Sequence, residues 1–560
     1  MNYTLPLALM LAFHTCQAEN FVVENLQDSG AGSLRAAIIS ANANSDPDTI
    51  TFADSLSTNG PHVITIKSAL SVTGPIEIIG PGRDTLFIDG GGNQQVLILS
   101  GSTANNPHRI SNLTIQNGSA SQGGANIRVL GNIQLTNCAI LNGVAVARNP
   151  ADADGGGLFH SGGTLTVNAC LFQGNRTIGN SSQGGGLYTQ SGTATISNSR
   201  ILDNTTNGSV SEGGGIGSRS ITTIENCEIS GNDTLNVFSG GGGIFSSSNI
   251  TMRQCTISDN SVGSITGTSG YSIGGAFASV DGSATFESCT ITENSAPSNI
   301  GQGAGVSSIG SDIISFKNCI VAGNGSSDLD APQNAQINYQ DNGYNIFGSV
   351  TNTRLNNSNN RNSTSSYGIS NPQLSSLAFH GGITRTHVPL PNSPALNSGP
   401  TTASSVYDQR GTDFPRLIGT ALDIGASERQ DFTDADSDGI PDAIENLIPE
   451  IATSSGDADQ DGISDLVEYR LSGSAAVLDP TLRPSLRIQP LGDNFQLEFP
   501  TTPNREYRIV YNTDLVSTRV PLQAEFQRFT QNIPVTMEAS LDEPRAFFFL
   551  EGRIPAEPTQ

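Results

Sequence analysis

The apolar positions of this chain repeat neither at a helical period nor by simple alternation. They follow a unit of about thirty residues, anchored at Leu113, Cys138, Cys170, Ser199, Cys227, Cys255, Cys289 and Cys319, with intervals of 25 to 34 residues. Three residues before the anchor stands Ile110, Leu135, Val167, Ile196, Ile224, Met252, Phe286 or Phe316. Two after it stands Ile115, Ile140, Phe172, Ile201, Ile229, Ile257, Ile291 or Val321. The residue five before the anchor is usually apolar as well.

Strand side chains alternate with period two, so positions −5 and −3 share a face, as do 0 and +2. Between −3 and 0 the phase slips by one residue. In a straight strand that slip would turn one pair outward; a corner keeps both pairs inside. Position −1 is often Asn (Asn112, Asn137, Asn198, Asn226, Asn318), which tolerates the left-handed backbone of a tight corner. A third strand is expected after each glycine cluster, led by Leu158, Leu187, Ile216, Ile244, Phe277 and Val306. Three short strands per unit, with corners and no helical period, predict an all-β fold, a right-handed parallel β-helix with rungs of about thirty residues. Burying one Leu, Ile or Phe is worth roughly 1.5–3 kcal/mol, too little for a lone rung but enough for a stack. The alternative, a twisted sandwich of irregular hairpins, would not hold so regular a period.

The six cysteines after Cys16 all occupy the inward anchor position. Strands in a sheet lie about 4.8 Å apart, while a disulfide wants Cβ atoms nearer 3.8 Å, so a stack of mostly free thiols is expected.

The repeat resembles the pectate-lyase-like right-handed β-helices of exported bacterial proteins, including the polymorphic outer-membrane proteins with Gly-Gly-aliphatic and Asn-ending motifs. Gly32-Ser33-Leu34-Arg35-Ala36-Ala37-Ile38, followed by Asp48-Thr49-Ile50-Thr51-Phe52, resembles the element that opens such proteins. There Ser33 would cap a short helix that lids the first rung and protects its edge. Asn371-Pro372-Gln373-Leu374, Gly381 through His387, Ser393-Pro394-Ala395-Leu396, Asp408-Gln409-Arg410-Gly411 and Asp423-Ile424-Gly425-Ala426 are similar to the choice-of-anchor Q domain. These motifs bear on architecture and say almost nothing about reaction.

The first residues carry an apolar run, Leu5 to Phe13, too short to span a bilayer. Residues 1–18 are expected to be a secretory signal peptide; lipidation of Cys16 is the alternative. The protein is therefore expected outside the cell or on its outer surface. With 51 acidic and 26 basic residues the formal charge is −25. No basic stripe exists to neutralise phosphates, so nucleic acid is excluded as a partner. No later segment reads as a transmembrane helix. The β-helix with its cap is assigned to 19–429, a calcium-binding segment to 430–480, and a C-terminal β-sandwich, from its alternating strands, to 481–560.

The acidity concentrates in two loops, DADSDGIPDAIE at 434–445 and DADQDGISDLVE at 457–468. Each places carboxylates at positions 1, 3, 5, 9 and 12, glycine at 6 and a carbonyl at 7, the donor pattern of a calcium loop. The expected ligands are Asp434, Asp436, Asp438, Ile440 (carbonyl), Asp442 and Glu445, then Asp457, Asp459, Asp461, Ile463 (carbonyl), Asp465 and Glu468. A solvated acidic linker is the alternative. The segment resembles the thrombospondin type 3 calcium repeats, a likeness that implies ligands shared between neighbouring loops. Calcium is expected as a structural cofactor.

A lyase needs a base and calcium-binding acids on one outward face, and a hydrolase needs two carboxylates at working distance. Neither constellation is legible. The chain has two lysines, Lys67 and Lys317, and no Trp. His160 is expected to face solvent; His62, His108, His380 and His387 are read as structural. Asp203, Asp259 and Glu293 share one repeat position and read as a solvated turn row, with a ligand stripe as the alternative. The functional expectation is an exported scaffold or adhesin-like protein whose partners are surface glycans or envelope proteins. The alternative is a polysaccharide lyase or other glycan-active β-helix. No catalytic residue is assigned.

Overall fold

The computed structural model describes residues 18–429, apart from 44–45, 59, 148–151, 237, 264–270, 297–300, 311–312, 326, 331–337, 351–354, 356–361, 413 and 419, together with seven strands between 487 and 553. The chain is an all-β parallel solenoid of about ten turns with 3% helix, consistent with a right-handed β-helix. Three parallel sheets of 20, 12 and 10 strands run along it.

One rung shows the logic. Ile244–Ser246 and Ile250–Arg253 both lie in the first sheet, Thr256–Ser258 in the second and Ser261–Val262 in the third. The first corner is Gln254 (φ 50°) and the second is Asp259 (φ 56°). The inferred phase slip is thus a real corner: Asn112, Asn137, Asn198, Asn226 and Asn318 all have φ between 50° and 56°. The third strand is a correction. The segments after the glycine clusters belong to the first sheet, and in two rungs they continue as one strand across a glycine irregularity, as Leu158–Asn168 (Gly162 and Gly163, φ 79° and 71°) and Leu187–Ser197 (Gly192, φ 93°). The third face follows the second corner instead, as in Thr205–Glu212. The return to the first sheet needs glycine. Gly184 has φ 58°, and a Cβ there would lie 2.2 Å from the Leu187 carbonyl oxygen.

The anchors are buried in one file. Every one of the eight is at most 2% exposed, and all six described cysteines are free. Each sulfur donates to the carbonyl two residues back, as Cys227 Sγ does to Glu225 O at 3.1 Å. Ser199 makes the same bond to Ser197 O at 2.6 Å, which is why serine can stand in that file. A second file lies just past the second corner: Asn175, Asn204, Asn232, Asn260, Asn294 and Asn324, at most 6% exposed. Each backbone N–H and Nδ2 donates to the Oδ1 of the next, for example Asn204 to Asn232 at 3.0 and 2.9 Å. Asp328 Oδ1 ends the ladder by accepting from Asn324.

At the start, helix α1 (Leu34–Ala41) is capped by Ser33, whose Oγ accepts from Ala36 N. It buries Leu34, Ala37, Ile38 and Ala41 against the first strands, as the opening motif implies. Towards the C-terminus, strands 487–491, 494–500 and 534–539 form one antiparallel sheet, and 505–512, 520–521, 527–529 and 547–553 another. Among the described residues no helix is long and apolar enough to cross a membrane.

Candidate functional site

All twelve proposed calcium ligands, Asp434 to Glu468, lie outside the described residues. Among the described residues no group of three or more His, Cys, Asp or Glu is placed to hold a metal ion.

The outer face of the second sheet is covered over its C-terminal strands, between Arg200 and Phe347. Residues 371–429 fold back over it as a strap. Arg385 donates from its backbone N–H to Glu228 Oε2 at 2.9 Å and from Nε to Oε1 at 2.6 Å; Arg200 reaches Oε2 of the same carboxylate at 3.0 Å. Burial alone would raise the Glu228 pKa. The two guanidiniums outweigh it and hold it down at about 2. Gln409 Oε1 accepts from Thr256 Oγ1 at 2.6 Å, and Ala426 N donates to Thr290 Oγ1 at 3.0 Å. The strap carries its own buried ion pair, Arg410 with Asp408 at 2.6 Å, and a buried Arg416–Glu428 contact at 3.3 Å in which burial and then Asp423 push the carboxyl up to about 8. The stretches 381–387, 408–411 and 423–426 are therefore the ties of the strap.

One pair under the strap has the look of nucleophile and base. Ser258 Oγ lies 2.9 Å from His387 Nε2, and His387 Nδ1 lies 2.7 Å from Ser375 O. Both side chains are at most 1% exposed, so no substrate carbonyl can reach the serine. His387 is structural, and burial lowers its pKa.

His160 corrects the solvent-facing expectation. It is fully buried and its Nε2 lies 3.0 Å from Gly131 O. Period two puts it on the side of Leu158, in register with Val129 and Thr189. Asp203, Asp259 and Glu293 sit at the second corner with φ of 53°, 56° and 60°. Their side chains emerge beside the strap, and burial raises the pKa of each, with Glu293 adding to the shift at Asp259.

A carboxylate pair that the sequence did not reveal lies at the return to the first sheet. Asp154, Gln183 and Glu212 occupy one row in parallel register. At about 4.8 Å per strand the two acids are roughly 10 Å apart along the backbone. Burial, then repulsion from Asp152, raises Asp154 to about 7. Burial raises Glu212 as well. Gln183 fills the rung between and donates Nε2 to Glu212 Oε2. Tyr188 lies beside them, its ring 5.8 Å from Phe159, over which Arg128 stacks at 4.9 Å. A group titrating near 7 suits proton transfer, but here the gap between the acids is filled by an amide. The available signal was positional: each of the three precedes a Gly-Gly-Gly run.

A cleft of about 450 Å³ opens at the first corner, lined by Glu225, Asn226, Arg253, Gln254, Glu287, Ser288, Ser404 and Ser405. All of its lining residues are polar or charged.

No protein-family model and no curated protein matches this chain.

Proposed function

We propose that this is an exported or cell-surface β-helix scaffold of adhesin-like role, whose calcium loops at 434–468 stiffen the connector between the solenoid and the C-terminal strands. The observation that carries this reading is the strap. A groove-type enzyme keeps a sheet face open to substrate, whereas the second sheet from Arg200 to Phe347 is roofed by residues 371–429 through buried ties such as Arg385 to Glu228. The loops carry the full donor pattern for calcium, and extracellular calcium is abundant enough to fill weak sites. Surface glycans or envelope proteins are the partners this role implies.

A second reading, a glycan-cleaving β-helix, is favoured by one observation: Asp154 is raised to about 7 on the same row as Glu212. Incubation of the full chain with polygalacturonate and alginate, with and without calcium, separates the two. The scaffold reading expects no new reducing ends and no ultraviolet-absorbing unsaturated product; either product defeats it. Calorimetry of the full chain should show calcium binding that disappears when Asp434, Asp436, Asp457 and Asp459 are replaced by Asn. Heat unchanged by those substitutions refutes the calcium assignment.

A further inference from the structure

Two apolar faces of this chain are left over, one on the strap and one in the C-terminal strands. On the strap, Tyr407 pairs with Pro415 in an antiparallel bridge, flanked by Asp408 N donating to Phe414 O and Arg416 N to Val406 O, both at 2.9 Å. In such a pairing Ser405, Tyr407, Pro415 and Leu417 share one side, and Asp408, Phe414 and Arg416 the other. The second side is buried, at most 3% exposed. The first turns outward: Tyr407 and Leu417 are each 39% exposed, Val406 at the rim is 74% exposed, and Pro415 is exposed as well.

The second face follows from strand register. In the sheet of 487–491, 494–500 and 534–539, Ile488, Phe495, Leu497, Phe499, Val535 and Met537 fall on one face, and Arg487, Gln489, Gln496, Glu498 and Glu538 on the other. That sheet has one apolar face to offer. The other sheet has two. Tyr507, Ile509, Tyr511, Phe548 and Leu550 share one face. Val510, Pro521, Phe547 and Phe549 share the opposite one, bordered by the cross-strand pairs Arg508 with Glu551 and Glu506 with Arg553. Packing two sheets face to face covers one face of each. The longer apolar run, from Tyr507 to Tyr511, is the match for the single apolar face of the first sheet. Val510, Phe547 and Phe549 are then left without a cover.

The path of the chain joins these two faces. Glu428 N donates to Asp408 Oδ2 at 2.8 Å, and Asp408 is the neighbour of Tyr407. Residues 430–486 therefore set out beside the strap's apolar strip and lead to the strands that carry the second face. A covalent tether raises the effective concentration of those strands at the strip above that of any second molecule at ordinary dilution. An apolar strip rimmed by polar residues, here Ser404, Ser405 and Thr412, is the usual mark of an interaction surface.

We propose that the strip of Val406, Tyr407, Pro415 and Leu417 is the dock for this chain's own C-terminal strands, which seat Val510, Phe547 and Phe549 against it. The strap then has two jobs, roofing the second sheet on its inner side and holding the C-terminal strands on its outer side. This goes beyond the scaffold reading and does not depend on which partners the scaffold has.

The test uses the full chain, calcium-saturated, with nitroxides at Thr402, exposed on the strap, and at Thr536, on the polar face of the first C-terminal sheet. The native thiols of the rungs are buried and out of the reagent's reach. Pulsed electron paramagnetic resonance should give a single narrow distance population. Leu417→Glu and Val406→Glu change exposed side chains, so the melting temperature of the solenoid should hold while the distance distribution widens at least threefold. Phe549→Glu should widen it from the other side of the contact. A distribution as wide in the unsubstituted chain as in Leu417→Glu overturns the proposal. A narrow population untouched by all three substitutions also overturns it, because a rigid connector alone would give that result. A narrow population that disappears on tenfold dilution with unlabelled chain makes a second copy the occupant and overturns it too.

Discussion

Arg385 and Glu228 are 157 residues apart in the chain and share two hydrogen bonds, at 2.9 and 2.6 Å, beneath the strap. Glu228 is fully buried, so the pair fastens the strap through a charge that water cannot solvate. Removing one member of such a pair typically costs about 3–5 kcal/mol, because the other is left buried and uncompensated. Arg385→Met should lose that much at pH 7 by denaturant unfolding, with Arg200 limiting the damage. The pH dependence follows from the depressed acid. Its pKa falls from 4.5 unfolded to about 2 folded, so the stabilisation is complete above about 4.5 and disappears as pH falls towards 2. At about 1.4 kcal/mol per unit this amounts to roughly 3 kcal/mol. Unfolding curves of the wild type and Arg385→Met should converge over that window; curves that stay parallel would contradict it.

The asparagine file should be the most sensitive polar feature of the rungs. Asn232→Ala removes the acceptor for both donors of Asn204 and the donor to Ile201 O, 2.8 Å away. Each unpaired buried group costs about 1–3 kcal/mol, so a loss of about 3 kcal/mol or more is expected in chemical denaturation. A cost below about 1 kcal/mol would mean that the ladder does not carry this load.

How much of this was legible in the sequence depends on the kind of signal. The anchor file and the first corner were readable because apolar spacing records burial directly; Asn198 and Cys227 sit where the phase slip put them. The third strand was misplaced because Leu158 and Leu165 are both inward in one sheet: an irregularity at Gly162 and Gly163, with φ of 79° and 71°, resets the period-two phase between them, and spacing alone does not distinguish that from a change of face. His160 was misread for a related reason: its glycine-rich neighbours suggested exposure, whereas its place two residues after Leu158 turned it inward. The strap was visible only as motifs such as Asp408-Gln409-Arg410-Gly411. Its partners, Glu228 and Thr256, are more than 150 residues away and carry no local mark. Asp154 and Glu212 were separated by two full units, and no short motif joins them.

The thiol file tolerates oxygen but not a gap. Ser199 already makes the backbone bond that Cys227 makes, so Cys227→Ser should cost less than about 1 kcal/mol, as a near-isosteric donor swap. Cys227→Ala leaves a small cavity and should cost about 1–2 kcal/mol. Equal costs for the two would show that the backbone bond does not matter. Unfolded, unreduced protein should titrate with a thiol reagent at every one of the six positions.

Asp154 should titrate near neutral pH, and carbon-detected NMR of its carboxyl group would show this as a midpoint of about 7. Repulsion from Asp152 is the second cause of the shift, so Asp152→Asn should lower the midpoint. The acid's folded pKa lies above its unfolded value of 3.8, so its protonated form suits the fold. Stability from this group is present below about 4 and declines as pH rises through 7. Asp154→Asn should therefore stabilise the protein at pH 8 and change little at pH 4.

The central claim is that each unit of the repeat is one rung stacked on the last. Gln134, Thr166, Thr195, Thr223, Thr251 and Thr285 stand in one outward row in parallel register. Pulsed electron paramagnetic resonance between a nitroxide at 134 and a second at 223, 251 or 285 measures the stacking directly. The expected separations are about 14, 19 and 24 Å, rising by one strand spacing of about 4.8 Å per rung. Distances that fail to rise in equal steps, or that fall back as the repeat number grows, would contradict the solenoid.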